Sequence, residues 1–397
     1  MLEPEQLYRS PNALARYYSG FRVHERLLLT GHSHQAWPDC GFDGQRQAWS
    51  DAAEFVDDKW RRAFDKADRV RRGYARLLGG DNGFIALASN THDLVVRFLS
   101  ALPLHERPRI VTTDGEYHSI RRQIDRLAEE KIEVVKVAAH PVSTVAERLA
   151  GAVDTRTSAV MVSSVFYQNG HRVSHLGDVL DACLKAGAEL LVDAYHSLNV
   201  MPFSLERQRL ERAFVIGGGY KYCQLGEGNC FLRFPSDCRM RPLVTGWFSE
   251  FEALAHAKIS DRVVYGQGED LFAGSTYDPT SHYRAAAVFD FFEKYNLTPG
   301  FLREVSQHQI GLLVELFDQL DADPSVITRD RVVEISDVGG FLALYSPHAD
   351  SVHRLLRERG VFTDYRAQIL RIGPAPYLSD SQLTEVMTKL GQTINTL

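Results

Sequence analysis

The sequence predicts an α/β protein with a large, mostly parallel sheet covered by helices on both faces and a smaller α+β domain. Three observations carry this. From about residue 66, short β-branched and apolar runs alternate with longer amphipathic stretches. Several of those runs end in clusters of polar residues. From about residue 285 the pattern changes to two long helical stretches, a strand pair and a closing helix. The implied division is a large domain over 66–284 and a small domain made of 1–65 with 285–397.

The strands expected in the sheet are Phe84–Ala88, Arg109–Thr113, 133–138, 158–165, Glu189–Asp193 and 213–217. Between them, 119–131 puts Ile120, Ile124 and Leu127 on one helical face. Leu176–Ala186 repeats Leu176, Val179, Leu180 and Cys183 at the same spacing. Residues 229–234 follow a glycine-containing turn and are read as an antiparallel strand. In the small domain a strand pair is expected near 332–345. The closing helix starts at Ser379, where Gln382 completes a capping box.

With 44% hydrophobic and 24% charged residues, the 397-residue chain has an ordinary globular make-up and enough length to bury a core. Its net charge of -6 gives no sign of a protein built to neutralise phosphate backbones, so no nucleic acid is expected as partner. The N-terminal segment lacks the apolar core of a secretion signal, and no run approaches the roughly 20 apolar residues that cross a bilayer. Cys40, Cys183, Cys223, Cys230 and Cys238 are irregularly spaced and read as reduced thiols, so the expected location is the cytoplasm. His32 and His34 could pair on a metal, but no further ligand accompanies them, and none is expected.

Ligands of open α/β sheets sit beyond the carboxyl ends of the strands. Four such ends stand out: Asn90-Thr91-His92, Glu116-Tyr117-His118-Ser119, Asp193-Ala194-Tyr195-His196 and Gly219-Tyr220-Lys221-Tyr222. Asp193 closes an otherwise apolar run, where a carboxylate is costly to bury without a cation. Alone it reads equally well as a helix cap. Lys221 ends the next strand, after Gly217, Gly218 and Gly219, which let a ligand approach the backbone. A desolvated lysine has the lowered pKa that imine formation requires, although a surface lysine after glycines is the plainer reading. Together the two suggest an amine that captures an aldehyde and a carboxylate that keeps a ring nitrogen protonated. The glycines lack the spacing of a nucleotide fingerprint. Asn90 and Thr91 open an amphipathic stretch whose helix N-terminus suits a phosphate, and both are also ordinary caps. Tyr117 can stack on a flat cofactor or simply pack the core.

These residues resemble class V, fold-type I pyridoxal 5'-phosphate (PLP) enzymes, and within them kynureninase most closely. The runs VDAYHSLNVMPFSL and AFVIGGGYKYCQLGEGNCFL are similar to that family's Asp-x-Ala-His block and its Ser-Tyr-Lys-Tyr lysine block. ALASNTHDLVVRFLS resembles its phosphate-binding turn, and DGEYHSIRRQ the segment of its ring-stacking aromatic. GWFSEFE and FAGSTYDP resemble segments that reach the substrate or a neighbouring subunit's phosphate. GVFTDYRAQILRIGPAPYLSDSQL resembles the family's C-terminal arginine region, and Gly31-His32-Ser33-His34-Gln35 stands where the family has Gly-Asn-Ser-Leu-Gly.

The resemblance implies the fold-type I PLP-transferase architecture, PLP as cofactor and a homodimer with its site at the subunit interface. It assigns Lys221 to the Schiff base, Asp193 to the pyridine nitrogen, His196 to the ring's edge, Tyr220, Asn90, Thr91 and Thr276 to the phosphate, and Tyr117 to stacking. Arg371 then grips the substrate carboxylate, with Trp247, Ser275 and His32 on the substrate side. The activity implied is hydrolysis of the Cβ–Cγ bond of kynurenine-type amino acids to alanine and an aromatic acid. A class V aminotransferase or β-lyase is the alternative. A cysteine desulfurase is disfavoured, because its later nucleophilic thiol has no counterpart after Cys238.

Overall fold

The computed structural model describes residues 2–80, 83–255 and 262–397. The strands are β1 (Leu27–Leu28), β2 (Phe84–Ala88), β3 (Arg109–Thr113), β4 (Glu133–Val137), β5 (Thr157–Ser163), β6 (Glu189–Asp193) and β7 (Phe214–Gly218). They continue with β8 (Cys230–Phe234), β9 (Thr328–Arg329), β10 (Leu342–Tyr345), β11 (Val361–Phe362), β12 (Asp364–Arg366) and β13 (Ile369–Ile372). Among the described residues the large sheet has seven strands in the order β2-β8-β7-β6-β5-β3-β4. The run from β4 to β7 is parallel, and β8 is antiparallel to both β7 and β2.

Every residue of β5 and β7 is buried, as a strand covered on both faces requires. Successive side chains of β5 enter opposite layers. Val160 and Val162 join the core beneath the helices Lys59–Leu77 and Leu176–Ala186, while Ala159 and Met161 join the core beneath Thr91–Ala101 and His118–Ala128. Burying an aromatic such as Phe98, packed 5.0 Å from the Phe214 ring, contributes about 1.5–3 kcal/mol. The helix ends follow local chemistry. Asn90 accepts a 2.9 Å hydrogen bond from the Asp93 amide at one start, and Gly187 at φ +70° closes Leu176–Ala186.

The C-terminal part carries a second sheet, β12-β13-β10-β9, all antiparallel. The N-terminal segment reaches it through parallel pairing of β1 with β11, extended by a bridge from Thr30 to Gly373. No helix among the described residues is long and apolar enough to cross a membrane.

Two local expectations change. The strand pair near 332–345 does not form: β10 instead pairs with β9 and β13, and Ile335–Asp337 is a short 3-10 turn. Asp330 accounts for this, since its side chain accepts the amides of Val332 (2.7 Å) and Val333 (3.3 Å) and turns the chain away from a strand. The glycines before Lys221 are also not open to a ligand. A Cβ at Gly217 would lie 2.8 Å from the Phe231 ring, at Gly218 2.5 Å from the Tyr195 hydroxyl, and at Gly219 2.6 Å from Leu225. They seat protein side chains, Tyr195 above all, against the strand that delivers Lys221.

Candidate active site

Lys221 follows β7, and Asp193 is the last residue of β6, its parallel neighbour. Lys221 is only 5% exposed, with its ammonium nitrogen 5.1, 5.3 and 5.7 Å from the ring centres of Tyr220, Tyr195 and Tyr117. Burial, reinforced by the Arg371 charge, brings its pKa down to about 7, and Asp193 opposes the shift. A large fraction of this amine is therefore neutral and nucleophilic near neutral pH. Asp193 is buried, and its Oδ1 accepts the Tyr195 amide at 2.8 Å. Burial lifts its pKa to about 6, against the pull of that amide and of Lys221.

Two histidines share the interior. His196 and His32 are both buried, with their rings 6.3 and 4.7 Å from Phe341. Burial, with Lys221 and Arg371 nearby, holds both well below the ordinary histidine range, so both are neutral. Nδ1 of His196 and both ring nitrogens of His32 have no hydrogen-bond partner within the protein. Unpaired buried polar atoms are costly, and such atoms in a site are the ones a ligand satisfies. His34, two residues from His32, stacks on the Tyr220 ring at 4.6 Å and so lies at the edge of the same group.

Arg371 on β13 completes this group. It is 3% exposed and pairs with Asp364 on β12. Arg366 shares that carboxylate. Tyr117 precedes the helix His118–Ala128 and meets Tyr167 edge-on at 5.2 Å.

The remaining expected residues lie on another surface. Asn90 caps its helix and is exposed there. Trp247 donates to the Thr276 hydroxyl at 3.2 Å, also at the surface. Ser275 and Thr276 line a cleft of about 810 Å³ with Ser89, His92 and Asp93, next to the Asn90–Thr91 turn. Lys221, Asp193, His196 and Arg371 do not line that cleft. A single chain thus brings Lys221, Asp193, Tyr117, Tyr220, His196, His32 and Arg371 together, and leaves Thr276, Ser275 and Trp247 beside the helix N-terminus.

Several residues gained a place that sequence reasoning did not give them. Tyr195 is one, and the gap at Gly218 that receives its hydroxyl is the signal. Asp364 is another, seven residues before Arg371 across a tight hairpin. Glu116 is buried below Tyr117 and bonded by Thr113 and Ser163. Its position at a strand end was visible, but its bonding was not.

This architecture is the fold-type I fold of PLP enzymes. The chain superimposes on a mutant of C-DES with glycine covalently linked to the PLP cofactor at a TM-score of 0.81, 15% identical, covering 95% of this chain and 98% of that one. An apo cysteine desulfurase from Thermococcus onnurineus NA1 gives a TM-score of 0.79 at 15% identity, with 100% and 99% covered. Among curated proteins, the uncharacterized aminotransferase YcbU of Bacillus subtilis (strain 168) is 20% identical over 387 residues, 96% of this chain and 97% of that protein. No family model matches the chain.

Proposed function

We propose that this protein is a PLP-dependent class V enzyme acting on a small α-amino acid, with Lys221 as its cofactor lysine. The observation that carries this reading is the burial of Lys221 between Asp193 and Arg371, with its pKa down to about 7. The residues suit PLP: a near-neutral amine for the aldehyde, Asp193 for the pyridine nitrogen, the unpartnered Nδ1 of His196 for a polar ring substituent and Tyr117 for a ring face. Bound there, PLP would supply an electron sink for bond breaking at the substrate's α- or β-carbon. Arg371 orients the substrate by its carboxylate. Lys221, once free of the cofactor, carries protons to and from Cα. The tyrosine rings around it keep water away from that amine.

Within this class we retain cleavage at the β-carbon, of which Cβ–Cγ hydrolysis of kynurenine-type amino acids is the form closest to the sequence motifs. The second reading, an aminotransferase or β-lyase, is favoured by the likeness to YcbU and by the cystine C-S lyase C-DES among the similar structures. Product analysis separates them. Alanine with a released acid marks Cβ–Cγ hydrolysis, pyruvate with ammonia marks β-elimination, and a keto acid that keeps the substrate's side chain marks transamination. We further propose that two copies form the working unit. Val244 and Phe251 line the Thr276 cleft, and their sequence neighbours Leu243 and Leu254 are exposed as well, apolar side chains of the kind that subunits cover. The first test is colour: the purified protein should take up PLP and absorb visible light. A colourless protein that refuses added PLP would defeat the reading.

A further inference from the structure

Asp364 and Arg371 face each other directly in the β12–β13 pairing. Nε and Nη2 of Arg371 donate to a single oxygen, Oδ1 of Asp364, at 3.2 and 2.7 Å. Nη1 donates to the Tyr167 carbonyl oxygen at 2.6 Å. A guanidinium carries five N–H groups. Three are occupied, which leaves one on each terminal nitrogen. Two N–H groups on adjacent nitrogens are what a carboxylate engages with both of its oxygens. Asp364 therefore does not compete for the place a substrate carboxylate would take. It holds the Nε–Nη2 edge of the guanidinium, and two of the five N–H groups are left without a protein partner.

We propose that Asp364 is the positioning residue for carboxylate recognition by Arg371, and that it works through one acceptor oxygen. This rests on the reading of Arg371 as the substrate's carboxylate anchor. A free arginine side chain has several rotatable bonds, and fixing them before the ligand arrives removes an ordering cost from binding. The cross-strand register places the carboxylate, and the Tyr167 carbonyl fixes the opposite corner. Arg366 also donates to Oδ1, at 3.1 Å, so one carboxylate serves two guanidiniums. The trio keeps a net single positive charge, which matches one incoming carboxylate.

The experiment uses PLP-loaded protein and follows the visible band. L-alanine is the probe, and ethylamine, which lacks the carboxylate, is the control. In the wild type, alanine should perturb the band at far lower concentration than ethylamine. Asp364→Ala should reduce that preference about tenfold, the size of one lost charge-assisted contact. Asp364→Asn keeps an acceptor oxygen in the same place and should stay within about threefold of wild type. If Asp364→Ala does not fold, Asp364→Ser replaces it, since its hydroxyl is too short to reach the guanidinium. An Asp364→Ala protein with the wild-type preference would overturn the proposal. So would Asp364→Asn as weak as Asp364→Ala, because the role would then be charge and not position. Arg371→Ala separates the two layers: if it retains the preference, or if alanine leaves the wild type unperturbed, the parent reading fails instead.

Discussion

Glu116 accepts a 2.6 Å hydrogen bond from the hydroxyl of Ser163, and Ser163 stands directly across the sheet from Asp193. Thr113 donates to the other oxygen at 2.7 Å. Two carboxyl groups are thus buried under the same floor. Burial is the main cause that lifts Glu116 to about 7, and the Asp193 charge adds to it.

A raised carboxyl pKa means that the folded chain holds its proton where the unfolded chain has released it. Stability is then highest below the unfolded value of 4.5 and declines as pH rises through about 7. The whole shift corresponds to about 3 kcal/mol at most. Glu116→Gln removes the titration, so the cofactor-free variant should lose less stability than wild type between pH 5 and 8. Urea unfolding at both pH values measures this. Parallel pH profiles for the two proteins would show that Glu116 does not ionise in this range.

Lys221 gives the opposite kind of signature. With its pKa down to about 7, the amine is largely neutral at pH 8, whereas a lysine at the ordinary 10.5 is almost wholly charged. The rate at which the cofactor-free protein captures PLP should rise to half its maximum near pH 7. Stopped-flow absorbance across pH 6 to 10 reads this directly. A midpoint above pH 9 would contradict the buried placement. Lys221→Ala should bind PLP without developing the lysine-linked visible band.

Asn90 caps the helix Thr91–Ala101 through the Asp93 amide. Asn90→Ala should cost about 1 kcal/mol in unfolding free energy. If the same turn holds a phosphate, the variant should also lose PLP faster on dialysis, and Asn90→Ser should restore both properties. Normal PLP retention in a destabilised Asn90→Ala protein would leave the residue with the cap alone.

The apolar surface beside the Thr276 cleft predicts its own outcome. Leu243 is 85% exposed in the single chain. Leu243→Glu combined with Leu254→Glu should shift the protein toward monomer in sedimentation velocity and weaken PLP retention with it. A monomeric wild type would remove the basis for a shared site.

Much of the fold was legible because its signals are local. Arg109–Thr113, Glu189–Asp193 and Leu176–Ala186 fall where periodicity puts them, and the capping box at Ser379 is present. Lys221 and Asp193 were found because residues that end neighbouring strands lie together in any parallel sheet. The strand pair near 332–345 failed because Asp330 bonds its own backbone, a competition that hydrophobic pattern does not record. The glycines before Lys221 were misread for a related reason, since a gap in side-chain volume does not say what fills it.

By itself the sequence determined the alternation of strands and helices and the lysine and carboxylate at adjoining strand ends. The alternation depends on residues within a few turns of one another, and the lysine and carboxylate each on the end of its own strand. Only the tertiary structure decided that Asp364 engages Arg371 by one edge, that Tyr195 occupies the space at Gly218, and that His32 lies buried against Phe341. The last of these joins the two ends of the chain, with Thr30 bridged to Gly373. Such contacts link segments far apart in the sequence, and their geometry exists only once the closed core has fixed the backbones that carry them.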